Sequence, residues 1–166
     1  LSCSMAEKKD SKESKKAAQA FTDKLNATPA TCSEADRFRE ADDRFKSCKT
    51  ETLQALMEYE KRPDVPAEVK VTLEAWCLLH GKEPKLEQCL KFLKEEPADF
   101  KLVGLSDLNY MTSEELTHLE QLTTDITVVS MDSASEVAKM ILEWLQAALG
   151  LHRWAQTTRA VEVQEQ

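Results

Sequence analysis

Phe38, Ala41, Phe45, Cys48, Thr52, Ala55 and Tyr59 recur at alternating intervals of three and four, which limits what the chain can fold into more than any other feature. This spacing keeps one face of an α-helix apolar and matches the seam of a coiled coil. It predicts one helix of roughly 28 residues, about 42 Å long at the usual rise. A seam of Phe, Ala and Cys is more irregular than a leucine zipper, and suits a two-helix arm or a bundle edge better than a parallel dimer. Composition points the same way. Only three Gly and five Pro accompany 31% charged residues, so long helices are favoured over a turn-rich sheet. Asp125-Ile126-Thr127-Val128-Val129 is the one short strand-like stretch. The fold class expected is all-α.

The helical signals divide the chain. Residues 1–20 are rich in Lys, Ser and Glu with little to bury, and residues 1–30 together read as a flexible segment in which Pro29 breaks any helix from Phe21. After the seam, Arg62-Pro63-Asp64-Val65-Pro66 interrupts the backbone, and Pro66 is suited to open a helix to about His80. Val69, Leu73, Trp76 and Cys77 form its apolar face, widened by Leu78 and Leu79, and Gly81 is placed for a left-handed C-cap. A further helix over about 84–95 uses Leu86, Cys89, Leu90 and Leu93, and Pro97 ends it. The stretch Phe100–Tyr110 reads as irregular. Thr112-Ser113-Glu114-Glu115 and Ser133-Ala134-Ser135-Glu136 are two capping boxes, each opening a helix. The last helix carries Val137, Met140, Ile141, Trp144, Ala148 and Leu151. Beyond Gly150 its seam continues as Trp154, Thr158 and Val161, able to pair with the 38–59 helix.

Charge and chemistry exclude several functions. Residues 1–62 hold 13 Lys+Arg against 12 Asp+Glu, whereas residues 63–166 hold 9 against 18, so the −8 of the whole chain resides in its second part. That part cannot present a broad cationic face, which argues against nucleic acid as a partner. No run of about 18 apolar residues exists to span a membrane, and Leu1-Ser2-Cys3-Ser4-Met5-Ala6 is too short and polar for a signal peptide. Cys3, Cys32, Cys48, Cys77 and Cys89 are odd in number and lack CxxC spacing, which suits a reduced, intracellular compartment. Gly81-Lys82 is followed by Glu83 where a phosphate loop needs Ser or Thr. His80, His118 and His152 have no metal-ligand companions on a shared helix face, and the acid pairs Glu95-Glu96 and Glu114-Glu115 suit helix ends. The expectation is a binding module with no catalytic residue, no metal and no cofactor.

From Pro63 the chain resembles the stalk tip of dynein heavy chains. That family opens its tip with paired prolines and a helix of the form P-x-x-V-K-x-x-x-E-A-x-C-x-x-x-G; here stand Pro63, Pro66-Ala67-Glu68-Val69-Lys70, Glu74-Ala75-Trp76-Cys77 and Gly81. Leu93, Pro97, Asp99, Phe100, Asp107 and Met111 fall where the family has its D-x-x-F and D-x-D-N-I elements. Ser135, Trp144, Ala147 and His152 follow the spacing of its final helix. Cys32-Ser33-Glu34-Ala35 and the acidic helix after it are similar to the outgoing stalk strand. The likeness spans roughly residues 32–162 and rests on the order and spacing of its motifs.

The resemblance implies a small helical head at the end of an antiparallel two-helix coiled-coil stalk. Its parts would be an outgoing helix at 31–62, a microtubule-binding head at 63–150 and the start of a returning helix at 151–166. It implies tubulin as partner, a cytoplasmic and cytoskeletal location extending to the axoneme of a cilium or flagellum for an outer-arm type, and coupling of track affinity to ATP hydrolysis in a motor ring outside this chain. Lys70, Lys82, Lys85, Arg153 and Arg159 are the expected microtubule-binding residues, of which Lys70 matches a family position. The helix at 113–123, usually basic, carries Glu114, Thr117, His118, Glu120 and Gln121 here. Facing acidic tubulin, that lowers on-rate and affinity. Binding is therefore expected to be weak, or assisted by an accessory leucine-rich-repeat light chain. The stripes alone also allow a helical-bundle adaptor unrelated to dynein.

Overall fold

The seam beginning at Phe38 folds as a helix, but a shorter one than its spacing predicts. In the computed structural model, which describes residues 33–165 and their side chains as far as Arg159, α1 spans Ser33–Ser47. The expected flexible segment at 1–30 lies outside the described residues. The backbone then turns extended at Lys49, and a short α2 (Thr50–Leu53) leads into a 3₁₀ segment, Gln54–Glu60. The reason lies in which side chains get buried. Continuing the seam would bury Thr52 and Ala55. The break buries Leu53 and Leu56 instead and leaves Thr52 exposed. Fully burying a leucine is worth about 1.5–3 kcal/mol, so two of them outweigh a lost helical turn. The Lys101 ammonium donates to the Cys48 carbonyl that the break releases, and the Lys49 carbonyl accepts from Thr52 N at 3.0 Å.

The remaining elements are α3 (Ala67–Leu79), α4 (Leu86–Glu95), α5 (Pro97–Lys101), a second 3₁₀ segment (Leu105–Tyr110), α6 (Ser113–Thr123) and α7 (Ser133–Glu165). Among the described residues every regular element is helical, as composition predicted. Asp125–Val129 forms no strand. Asp125 takes a left-handed φ of 64°, and the stretch that follows buries Val128 while Val129 stays 71% exposed.

Several local predictions hold in detail. Gly81 has φ 72° and completes a Schellman cap, with Lys82 N donating to Cys77 O at 2.9 Å and Gly81 N to Leu78 O at 3.1 Å. The Thr112 box is complete: Glu115 N donates to Thr112 Oγ1 at 3.1 Å, and Thr112 N donates to Glu115 Oε1 at 2.9 Å. Thr112→Ala is therefore expected to lower the unfolding free energy by about 1 kcal/mol in urea titrations, and Thr112→Ser to recover most of it. Pro97 both ends α4 and opens α5 at its first position. The second box is displaced by one residue. Ser133 already lies inside α7, and Asp132 is the cap, accepting from Ser135 N at 2.9 Å, while Glu136 accepts from the Ser130 hydroxyl.

α3 is the centre of the structure. Val69, Thr72, Leu73 and the run Ala75–Leu79 are all buried, so it is covered on most sides rather than along one stripe. α4, α6 and α7 pack around it. Residues 33–62 run antiparallel to 132–151. Phe38 meets Trp144 edge-on at 5.7 Å, Trp144 Nε1 donates to Asp42 Oδ1 at 2.9 Å, and Arg44 pairs with Glu143. Farther along, the Tyr59 and Ser135 hydroxyls are 3.1 Å apart, and Arg62 pairs with Asp132 at 2.8 Å. In this register the 38–59 stretch faces 132–151. Trp154 and Thr158, proposed from spacing as its partners, lie beyond it, and the Val161 side chain is outside the described part. Phe45 and Trp144 both reach Trp76, at 5.1 and 5.7 Å, so the antiparallel pair and α3 share one core.

Candidate binding surface

An open groove of about 1240 Å³ runs between the 3₁₀ segment with its following loop, the first half of α3, and α4. Met57, Tyr59, Val65, Leu86 and Leu90 give it an apolar floor. Amphipathic α4 places its Leu86/Cys89/Leu90/Leu93 stripe inward, which leaves Glu87, Lys91, Lys94 and Glu95 to face solvent. Across the groove, Lys70 and Glu74 stand one turn apart on α3. The rim is held by Arg62, whose guanidinium lies 5.2 Å from the centroid of the Tyr59 ring and pairs with Glu58 at 3.2 Å and with Asp132. The Ser135 backbone N–H, and then Arg62, hold the Asp132 carboxyl down at about 2.

Arg62, Lys70, Lys85, Lys91 and Lys94 line this groove against Glu60, Asp64, Glu74, Glu87 and Glu95. A balanced groove in a chain of net charge −8 is a local concentration of cations. Lys85 is drawn to Glu83 at 3.0 Å, but among the described residues Lys70, Lys91 and Lys94 have no ion-pair partner.

Of the five cations expected to bind, Lys70 and Lys85 share the groove. The other three are placed elsewhere. Lys82 lies 4.4 Å from the centroid of the Phe92 ring and 3.5 Å from Glu96, outside the groove. Arg153 joins α7 to α6 through Glu120 at 3.1 Å. Arg159 is exposed farther along α7. Lys91, Lys94 and Arg62 also line the groove and are not among the five expected residues. The signal for the first two was present, since they stand on the polar face of α4, opposite its apolar stripe.

The histidines have separate environments. His80 is wedged edge-on between Trp76 and Phe92, each 5.0 Å away. Burial first, and then the nearby Lys82 charge, push its pKa down to about 4, while Asp99 opposes them. His152 is also lowered by burial, and its Nε2 has no hydrogen-bond partner. His118 is exposed on α6. Among the described residues no cluster of three His, Cys, Asp or Glu side chains is placed to hold a metal ion, and no helix is long and apolar enough to cross a membrane.

Compared with family models, with characterised proteins and with solved structures, the chain matches none.

Proposed function

We propose that this chain is a helical binding module that acts as the microtubule-binding head of a dynein-type stalk, meeting tubulin through the groove between α3 and α4. The observation that carries this reading is the gathering of Lys70, Lys91 and Lys94, all without ion pairs among the described residues, beside an apolar floor. An acidic partner would supply the missing counter-charges, and the floor would add buried area. The antiparallel packing of 33–62 on 132–151 seats the outgoing segment on the last helix of the head, which supports a head whose first and last elements lie side by side, as a two-stranded arm leaving it would need. Its shared core with α3 gives a shift between the two strands a path to the groove. The motor ring and its ATPase would lie outside this chain.

The acids that balance the groove make the binding weak, and its reliance on Lys70, Lys91 and Lys94 makes it dependent on salt. Co-sedimentation with microtubules is expected to fall steeply as salt is raised. Reversing Lys70, Lys91 and Lys94 together to Glu should weaken binding roughly tenfold or more, because like charges would then face each other. Arg159→Glu should change it little. Equal loss from Arg159→Glu would move the site to α7. If no microtubule binding is found at low salt, the track is not the partner. A leucine-rich-repeat light chain, or the partners of a helical adaptor unrelated to dynein, would then be tested on the same variants. The pairing of Arg153 with Glu120 favours this second reading, because it removes one expected cation from α7.

A further inference from the structure

The one strand-like stretch of the sequence ends up with no sheet to join. Between α6 and α7, residues 126–131 belong to no regular element, and their exposure alternates. Thr127, Val129 and Met131 face outward, whereas Val128 is buried and Ile126 and Ser130 are half-buried. A period of two belongs to extended backbone. Gln146 Nε2 on α7 donates to the Ile126 carbonyl at 3.2 Å, and Glu136 accepts from the Ser130 hydroxyl. Among the described residues, the backbone N–H and C=O groups of 127–131 have no protein partner. Ile126-Thr127-Val128-Val129-Ser130-Met131 also holds no charge, no proline and no glycine. Folded proteins usually guard such an edge with one of these, or cover it, because it is a template for another strand. Here Val129 is 71% exposed and Met131 87%.

We propose that 126–131 is a strand-addition surface whose occupant is the same segment of a second copy of this chain, paired antiparallel about Val129. In that register Val129 faces Val129, Thr127 faces Met131, and Val128 faces Ser130. The contact is isologous, so it closes at a dimer. The outward side chains of the two strands form one strip, Thr127, Val129 and Met131 of one copy against Met131, Val129 and Thr127 of the other. Such cross-strand pairs of β-branched and long apolar side chains are stabilising.

Charge favours a like partner at this place. A chain of net charge −8 repels its own copy over much of its surface, yet no charge meets another within the paired stretch. Asp125 and Asp132 flank it and fall opposite Ser133 and Ile126, and Asp132 is already paired with Arg62 of its own chain at 2.8 Å. A strongly charged peptide would find no counter-charge here. Six residues from each copy make a contact smaller than the roughly 1,200 Å² of a stable interface, so the dimer is weak and its population follows concentration. None of these residues lines the groove, and the surface stands independently of the microtubule reading.

Sedimentation equilibrium of the full chain, kept in thiol reductant so that no disulfide contributes, tests this. The weight-average mass should rise from one copy toward two between micromolar and millimolar concentration. The amides of 127–131 should gain protection from hydrogen exchange over the same range. Val129→Glu sets like charges opposite each other and should weaken the dimer roughly tenfold or more. Its thermal midpoint at micromolar concentration should stay unchanged, because the side chain is exposed. Thr127→Lys combined with Met131→Glu should hold or tighten association, since opposite charges then face each other only in this antiparallel register. Thr127→Lys combined with Met131→Lys should abolish it. A chain that stays monomeric to millimolar concentration would overturn the proposal and leave the edge to an extended segment of a different protein. A dimer that Val129→Glu does not weaken, or that survives both substitutions to Lys, would overturn it as well.

Discussion

Trp76→Ala is expected to lose about 3–5 kcal/mol of unfolding free energy, placing it at the upper end of what core truncations cost. Trp76 is 0% exposed, and its ring meets Phe45, His80, Phe100 and Trp144 at centroid distances of 5.1, 5.0, 5.8 and 5.7 Å. These four neighbours come from α1, the end of α3, α5 and α7, so no one element can move in to refill the space. Trp76 Nε1 also donates to Phe100 O at 3.2 Å, and an orphaned buried carbonyl adds about 1–3 kcal/mol. Native domains retain only about 5–15 kcal/mol in total, so the variant should sit near its unfolding midpoint at room temperature.

Urea titration followed by far-UV circular dichroism measures the loss, and the fluorescence of Trp144 and Trp154 reports separately on α7. Trp76→Phe, which keeps an aromatic ring but not the N–H, should lose clearly less. Because Trp76 bridges the antiparallel pair and the α3–α5 layer, Trp76→Ala and Trp144→Phe should be non-additive in a double-mutant cycle. A cost below 1 kcal/mol for Trp76→Ala, or simple additivity with Trp144→Phe, would show that the two layers do not depend on this contact.

How much of this was legible in the sequence follows from how local each determinant is. The Gly81 cap and the Thr112 box could be read because each is settled within six residues, the first by backbone geometry alone and the second by two side chains. The all-helical class was legible from stripes and from the scarcity of glycine. The long 38–59 helix failed because its seam was scored on spacing alone. Leu53 and Leu56 lie off that seam, yet they are worth more buried than Thr52 and Ala55, and a tertiary partner, Lys101, receives the broken end. The Ser133 box failed because Asp132 supplies a better acceptor and is fixed by Arg62, which is far away in sequence. The groove was half legible. Lys70 and Lys85 were selected, but their meeting with Lys91 and Lys94 depends on how α4 folds back on α3 after Gly81, which no periodicity reports. Lys82 and Arg153 read as free cations, and the structure uses both in contacts within the protein.

Acid should destabilise the chain well above the pH at which its carboxylates titrate, and His80 is the reason. Its unfolded pKa is near 6.5 and its folded value is about 4, so the folded state favours the neutral ring. Above pH 6.5 both states are neutral and His80 contributes no slope. As pH falls through 6.5 the unfolded chain takes up a proton that the folded chain refuses, so stability falls until the folded ring also protonates near pH 4. The interval corresponds to roughly 3 kcal/mol, since each pKa unit is worth about 1.4 kcal/mol. Asp132 acts in a lower window, because its depressed pKa of about 2 loses its contribution only as pH drops below the ordinary aspartate range. Urea titrations at pH 7 and at pH 4.5 span the window of both histidines lowered by burial, His80 and His152, and the variant separates the first from the second. His80→Phe, which keeps a ring between Trp76 and Phe92, should flatten most of that slope and be more stable than the parent at pH 4.5. If both proteins lose the same stability between the two pH values, His80 titrates normally in the folded state. The ring would then have to reach water, which its wedged position between Trp76 and Phe92 opposes.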